Sequence, residues 1–199
     1  MCEKLRSGFA PPLPPLRYKV LVLVLKRFLN VRGLHETFSG GVGSFLLQLL
    51  VICSLQQPES GMESGSAASR PGLAGKAAAS AEMRASLGAQ LLHFLQIFGL
   101  RLNYETVGVS VRSGGRFFAK SSRGWRQSDR PQLLCVENPL DPEHDVGANS
   151  FNVGSVRRAF AHGYCALLAR LEAAYAGVRG SGLRVLGCVL DVEEEMAER

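Results

Sequence analysis

The sequence predicts a mainly α-helical protein that also contains a small β-hairpin and a closing strand, an α+β arrangement. Apolar residues recur at helical spacing in several long segments, and alternating residues on both sides of Gly114 and Gly115 indicate a hairpin. A last apolar run follows near the C-terminus. The chain has 199 residues, of which 46% are hydrophobic, so it is long and apolar enough to bury a substantial core.

The composition indicates a basic protein with reduced cysteines. The net charge of +6 makes nucleic acid, phosphates or an acidic partner plausible ligands. The five cysteines are scattered and form no CxxC pair, which favours structural thiols in an intracellular protein. The apolar runs are shorter than the roughly 18 residues of a membrane span, and a proline cluster follows the N-terminus, so we expect neither a membrane partner nor a signal peptide.

Two apolar segments are predicted as the first two helices, after a proline-rich segment at residues 1–16. The segment Arg17–Leu34 could be a strand by its β-branched alternation or a buried helix by its length, and the stop signal at Gly33 favours the helix. The segment Gly43–Gln57 is predicted as the second helix. Residues 58–85 are rich in Gly, Ser and Ala and are predicted to form a disordered insertion.

The remainder is predicted to rejoin the same domain, which would comprise residues 17–57 and 86–192. A helix is expected over Ser86–Tyr104, with His93 at the edge of its apolar face rather than in a metal site. The alternation over Val107–Lys120 predicts a hairpin. A long amphipathic helix is expected from Val153, and "LRVLGCVLDV" from Leu183 is predicted as the closing strand before an acidic tail at residues 193–199.

A loop from Glu137 to Phe151, "ENPLDPEHDVGANSF", lies between an apolar run and that long helix. Its two prolines fix the backbone angle φ and Gly147 permits angles that other residues avoid. The polar side chains of the loop could therefore present a fixed set of hydrogen-bond donors and acceptors to a ligand. A plain surface turn would have the same composition. Both interpretations remain open on these residues alone.

The glycine-rich stretch "SGGVGSF" at residues 39–45 precedes the second helix. Its backbone N–H groups could receive phosphate oxygens, although a glycine-rich helix start is also typical of a tight turn. Phe45 could stack on a base or belong to the core. The sequence contains no GxSxG, Walker loop or zinc-ligand cluster, so no catalytic residue and no metal ligand is assigned.

Taken together, several stretches resemble one family. "LVLVLKRFLNVRGLHETFSGGVGSFLLQLL", "FGLRLNYETVGVSVRSGGRFFAK", "RPQLLCVENPLDPEHDVGANSFNVGSVRRAFAHGYCALL" and "RVLGCVL" resemble, in order, parts of the central domain of noncanonical poly(A) polymerases. These are terminal nucleotidyltransferases of the TRAMP nuclear surveillance type. The resemblance covers nearly the whole chain apart from residues 58–85, and it implies the helical bundle of a poly(A) polymerase central domain with its PAP-associated nucleotide recognition motif.

The resemblance also assigns roles to six residues of a nucleotide site. In that family the loop reads the base of the incoming nucleotide, in a cleft between a catalytic domain and the central domain. The matching positions are Lys26 and Ser44 for the phosphates, Phe45 for stacking on the base, and Asn138, Asp141 and His144 for the base pocket. Phe45 replaces a tyrosine, Asn138 an aspartate, and Ala148 a frequent arginine, which weakens any ion pair within the loop.

The implied reaction is the addition of AMP from ATP to an RNA 3′ end, polyadenylating nuclear RNA for exosome surveillance, with Mg²⁺ or Mn²⁺ in the complete enzyme. The implied partners are RNA, a zinc-knuckle RNA-binding protein and a helicase, in the nucleus or nucleolus. The family's catalytic domain, with its paired aspartates, matches nothing in Met1–Leu16, so we expect this chain to be inactive without that missing catalytic domain. Two alternatives stay open: a non-catalytic RNA- or partner-binding module, and a uridylyltransferase fragment, because a histidine matching His144 favours UTP in the related uridylyltransferases.

Overall fold

The computed structural model describes residues 15–57, 86–175 and 186–190. Within them the chain forms five α-helices and one two-stranded antiparallel sheet, so the predicted mainly α fold with a small hairpin is confirmed. The elements in chain order are α1 (Pro15–Val31), α2 (Ser44–Gln56), α3 (Leu87–Gln96), β1 (Val107–Ser110), β2 (Arg116–Ala119), α4 (Val153–Tyr175) and α5 (Gly187–Leu190). The predicted disordered insertion, the acidic tail and most of the proline-rich segment lie outside the described residues.

The first two segments are helices, as their lengths predicted. The chain leaves α1 at Gly33, whose φ of +66° is a left-handed conformation that glycine adopts without a steric penalty. Helix α2 is apolar on nearly every side and most of its residues are buried. A helix that is apolar all round belongs in the middle of a domain, and α2 accordingly packs against α1, α3 and the hairpin.

Aromatic rings from three helices form the centre of the core. Phe28 of α1 stacks on Phe160 of α4 with ring centroids 5.8 Å apart, and Phe94 of α3 meets the edge of Phe160 at 5.2 Å. All three side chains are at most 1% exposed. Such aromatic contacts stabilise the fold beyond the burial of apolar surface alone, and their preferred geometries restrict how the three helices pack. In the part of the chain that is described, no helix is both long and apolar enough to cross a membrane.

The hairpin is joined to the loop that follows it. Strands β1 and β2 pair antiparallel, with Val109 opposite Phe117. On the other edge of β1, Val109 donates its N–H to the carbonyl of Cys135 at 2.9 Å and accepts from the N–H of Glu137 at 2.8 Å. The apolar run before the loop therefore lies parallel to β1, and the hairpin anchors the start of the loop.

Two details differ from the sequence-based expectations. The third helix continues into a π-helical turn, Ile97–Arg101, where Gly99 lies directly against the backbone of Ala161 in α4. The predicted closing strand is wrong at residues 187–190, which form the short helix α5. A short apolar run can be buried as either a strand or a helical turn. Here Val189 is buried against Gly163 of α4, and its carbonyl accepts a hydrogen bond from Arg32 at 2.8 Å.

Candidate functional site

Helix α2 begins at a glycine-rich turn that approaches the neighbouring chain closely. Ser44 is the exposed first residue of the helix, and the preceding cap residue, Gly43, offers no side chain to the free N–H groups. A Cβ atom at Gly41 would lie 2.3 Å from the carbonyl oxygen of Leu34. Phe45 is half-buried and packs against the hydrophobic core, so its ring combines a packing role with a partly open face.

The three residues predicted for the base pocket lie on one closed turn, residues 138–144, which we name the recognition turn. Asn138 donates its N–H to the carbonyl of His144 at 3.0 Å, and His144 donates its own to the carbonyl of Asp141 at 3.0 Å. The side-chain oxygen of Asn138 accepts the N–H of Leu140 at 3.0 Å, an arrangement typical of asparagine in turns. Asp141 and His144 are exposed, so their side chains are accessible to a ligand.

The segment after the recognition turn is held by Asp145 and Gly147. One carboxylate oxygen of Asp145 accepts the N–H groups of Val136 and Gly147, each at 2.8 Å. A Cβ atom at Gly147 would lie 2.0 Å from the carbonyl oxygen of Leu134, so only glycine fits at this position without a shift of the backbone. Asp145 therefore supports the loop, because one of its oxygens serves two backbone N–H groups.

The far end of the loop closes on the glycine-rich turn. Asn152 donates its N–H to the carbonyl of Gly40 at 2.9 Å, and the Ser150 hydroxyl lies 3.5 Å from the carbonyl of Gly41. Gly40 has a φ of +77°, and any Cβ there would meet the ring of Phe151 at 2.4 Å. Two segments more than 100 residues apart, each predicted to contact the nucleotide, are thus neighbours in the fold.

The six predicted residues fall into three groups. Ser44 and Phe45 begin α2, and the recognition turn carries Asn138, Asp141 and His144. Contacts between residues 150–152 and Gly40 and Gly41 link these two groups. Lys26 is exposed in the second half of α1, which packs on α2. The roles of all six residues remain predictions.

Three charged residues that sequence reasoning did not single out lie beneath the recognition turn. The carboxylate of Glu137 is completely buried, 2.9 Å from a guanidinium nitrogen of Arg123 and 3.4 Å from one of Arg112. A signal was present, since Glu137 directly follows the apolar run "LLCV", whose side chains are buried. A charged residue that follows directly on a buried apolar segment needs charged or hydrogen-bonding partners within the protein, because an unpaired buried charge is strongly destabilising.

Lys120 is a second buried charge that the sequence did not reveal. Its side chain is 1% exposed, and its ammonium group donates to the carbonyls of Tyr104, Pro131 and Leu133. The contact with Pro131 is 2.9 Å long. Three acceptors match the three donors of an ammonium group. Lys120 therefore ties the end of the hairpin to the segment that leads into the loop.

A separate cleft of about 410 Å³ opens at the other end of α2. It contains none of the six predicted residues, and the 13 residues of α2 place it roughly 18 Å along the helix from Ser44. His93, which the sequence placed at a helix edge, lines it half-buried. The lining residues are Gln57, His93, Ile97, Arg101, Leu102, Asn103, Val107 and Phe117.

The described residues hold no group of three or more His, Cys, Asp or Glu side chains placed to bind a metal ion. The candidate site consists of hydrogen-bonding side chains, a helix N-terminus and one partly open aromatic ring. Such a set can bind phosphates and discriminate between planar polar ligands.

Residues 86–144, which include the hairpin and the recognition turn, match the model of the family described as Cid1 family poly A polymerase. The poly(A) RNA polymerase cid14 of Schizosaccharomyces pombe is 31% identical over 195 residues, which cover 94% of this chain and 26% of that protein. The chain belongs to the noncanonical poly(A) polymerase family. This confirms the resemblance drawn from the quoted motifs.

One further relative and one solved structure are informative. The inactive poly(A) RNA polymerase protein Trf4-2 of Drosophila melanogaster is 32% identical over 155 residues, covering 75% of this chain and 32% of that protein. The polymerase core of TRAMP, an RNA surveillance complex, superposes with a TM-score of 0.71 over 95% of this chain and 54% of that one, at 23% identity. That superposition confirms the predicted poly(A) polymerase-like α+β fold of this chain. The chain spans only a quarter to a third of these two curated relatives' length.

Proposed function

We propose that this chain supplies the nucleotide-recognition part of a template-independent RNA nucleotidyltransferase. The observation that carries the proposal is the closed recognition turn, which exposes Asp141 and His144 and belongs to a loop that closes on the glycine-rich turn before Ser44. A rigid set of polar groups rejects a wrong base because the mismatch leaves buried donors or acceptors unpaired. The recognition turn has the backbone hydrogen bonds that such rigidity requires.

The proposed substrate is ATP, and the proposed reaction transfers AMP to the 3′ end of RNA. Ser44, at the uncapped start of α2, would receive phosphate oxygens, with Lys26 as a further cation, and Phe45 would stack on the base. Mg²⁺ or Mn²⁺ would be held by the aspartates of a catalytic domain rather than by this chain. Membership of the poly(A) polymerase family supports the choice of adenine.

The biological setting is part of the same proposal. Polyadenylation of nuclear RNA for exosome surveillance, in a TRAMP-like complex with a zinc-knuckle RNA-binding protein and a helicase, is favoured by the likeness to the TRAMP polymerase core. The basic charge of +6 suits RNA, whose phosphates dominate the affinity of most nucleic-acid complexes. The proposed location is the nucleus or nucleolus.

The test compares the 199-residue chain with the same chain joined to the catalytic domain of the fission yeast relative. We expect the chain alone to bind ATP without extending an RNA primer, and the fusion to extend it in the presence of Mg²⁺. A Ser44→Ala, Lys26→Ala double variant of the fusion should lose most of its apparent affinity for ATP. Extension by the chain alone, or a fusion unaffected by that double change, would contradict the proposed division of roles.

Two alternatives are tested by the same fusion. A non-catalytic binding module is favoured by the inactive Drosophila relative, and it predicts RNA binding without ATP binding. A uridylyltransferase fragment is favoured by His144, which is exposed on the recognition turn and can donate or accept at either ring nitrogen. We expect the fusion to prefer ATP before and after His144→Asn. A UTP preference that this substitution reverses would replace ATP by UTP as the substrate.

A further inference from the structure

Arg123 links both ends of the recognition turn to the hairpin. One guanidinium nitrogen lies 2.9 Å from the buried carboxylate of Glu137, immediately before the turn. The other donates to the carbonyl of Pro142 at 2.8 Å and lies 3.9 Å from Glu143. A single planar side chain therefore bridges the start of the turn and its far limb, with Asn138 and Asp141 between the two contacts.

Glu137, which Arg123 contacts at the start of the recognition turn, is held in place by its surroundings. Glu137 is completely buried, and its N–H donates to the carbonyl of Val109 in β1 at 2.8 Å. Its second arginine contact, Arg112, is longer at 3.4 Å, and that side chain is nearly half exposed. The shorter contact to the less exposed Arg123 is therefore the stronger of the two, because burial reduces screening by solvent.

The guanidinium of Arg123 is also positioned by two aromatic rings. It lies 5.6 Å from the ring centroid of Phe118 and 5.7 Å from that of Trp125, and these rings meet edge to face at 5.8 Å. Arginine suits this place because its planar fork can donate in two directions while lying near aromatic surfaces. A lysine would retain the charge, but its single ammonium group cannot reproduce both contacts with the same geometry.

We propose that Arg123 is a positioning residue for base selection, which sets the spacing of Asn138, Asp141 and His144 by bridging Glu137 and Pro142. The inference rests on the proposed nucleotide-recognition function. Arg123 itself is not expected to touch the nucleotide. Its role is mechanical, because polar groups on a turn discriminate between bases only while their relative positions are fixed.

Arg123→Lys separates this role from a general effect on folding. We expect amide hydrogen exchange in residues 138–146 to accelerate while the buried helices α2 and α4 stay protected. We also expect the ratio of GTP to ATP dissociation constants to fall about five- to tenfold, the range that one lost fixed hydrogen bond produces. A merely structural role would weaken both nucleotides equally and leave the ratio unchanged.

The experiment uses the full 199-residue chain with two companion variants. Arg126→Lys is the matched control, since Arg126 is exposed three residues away and the substitution is identical, and it should change neither measurement. Glu137→Gln removes the other half of the contact while keeping the side-chain shape, and it should shift both measurements in the same direction as Arg123→Lys. This second variant protects the test against a misfolded Arg123→Lys protein.

The outcomes distinguish this inference from the proposed function. A wild-type chain that binds ATP no better than GTP would overturn the base-selecting function, and the role of Arg123 in selection with it. A wild-type chain that selects ATP, with an Arg123→Lys variant of unchanged ratio, would overturn the positioning role alone. Unchanged exchange in residues 138–146 would show that Arg123 does not hold the turn.

Discussion

At the scale of single residues, Glu137 shows how burial determines what a carboxylate does in this protein. Glu137 lies at the start of a loop rich in exposed acids, yet it is the acid of that loop that is completely buried. Its burial beside Arg123 makes it a structural ion-pair partner. Its neighbour Glu143 is 90% exposed and makes only a 3.9 Å contact with Arg123, where water screens the charges.

This contrast gives a stability prediction. Glu137→Gln should lower the free energy of unfolding by about 2 kcal/mol, because a charge-assisted hydrogen bond is lost and Arg123 is left without its buried counter-ion. Glu143→Gln should change it by less than about 0.5 kcal/mol. Urea denaturation of both variants measures the difference. Equal effects would mean that the buried carboxylate stabilises the fold no more than a surface one.

The thiols give a second prediction at this scale. Burial raises the pKa of Cys53 to about 12, and burial together with the Asp145 carboxylate raises that of Cys135 to about 12. Cys165 is exposed. Burial blocks access of reagents to Cys53 and Cys135 and disfavours their thiolate, the reactive form, so iodoacetamide should label Cys165 well before these two thiols. Peptide mapping by mass spectrometry reads the order.

The same shifts make stability depend on pH in the alkaline range. The folded chain holds protons on Cys53 and Cys135 that the unfolded chain, with thiol pKa values near 9, releases. The stabilisation is therefore complete below pH 9 and is lost as the pH rises towards 12. Urea midpoints should fall over that range, and they should fall less steeply in a Cys53→Ala variant. A midpoint independent of pH would contradict the buried, protonated state of these thiols.

At the scale of elements, the sequence predicts what periodicity and turn chemistry control. The four long helices and the hairpin lie where their patterns place them, and Gly33 ends α1 as predicted. The predictions fail where a tertiary contact decides the local structure. Residues 187–190 are apolar enough for a strand, but β1 already pairs with β2 on one edge and with residues 135–137 on the other, so these residues form a helical turn against α4.

In the candidate site, too, some features could be predicted from sequence patterns and others depend on tertiary contacts. Its location could be predicted from the two glycine- and proline-rich stretches, because these residues mark backbone that departs from regular structure. The supporting charges could not, since pairing Glu137 with Arg123 and burying Lys120 under three carbonyls depend on how the hairpin folds back on the loop. A sequence gives no direct signal for contacts between side chains brought together only by the fold.

The π-helical turn yields a prediction at the element scale. A Cβ at Gly99 would lie 2.5 Å from the backbone nitrogen of Ala161, so Gly99→Ala must push the turn away from α4. We expect a loss of about 2 kcal/mol in the free energy of unfolding. Gly88→Ala is the control, because a Cβ at this exposed position in α3 meets nothing within 4 Å and alanine favours helix by about 0.5–1 kcal/mol.

Calorimetric melting should therefore separate the two glycine variants. Gly99→Ala should melt earlier than the unmodified chain, and Gly88→Ala at the same temperature or later. If both substitutions raised the melting temperature, helix propensity would outweigh the close approach of the π-helical turn to α4. The packing account would then be wrong at that contact.

At the scale of the whole molecule, the segments that hold the recognition turn are part of the buried hydrophobic core. Val109 and Val136, which pair beside the hairpin, are completely buried in the same hydrophobic cluster as Phe28, Phe94 and Phe160. Gln56 at the end of α2 also donates to the carbonyl of Val111 at 3.2 Å. Opening the hairpin would expose part of the core, so the two regions should share their stability.

The chain's single tryptophan tests this coupling. Trp125 lies beside Arg123 and Phe118, next to the recognition turn, whereas circular dichroism at 222 nm reports mainly on the helices. We expect both signals to show the same urea midpoint. Gly99→Ala, which disturbs the contact between the π-helical turn and α4, should lower both midpoints equally. A tryptophan transition at lower urea would show that the hairpin and recognition turn unfold on their own. The residues proposed to read the base would then be fixed only by local contacts such as that of Arg123. In that case the proposed selectivity for ATP should disappear at urea concentrations where the helices remain folded.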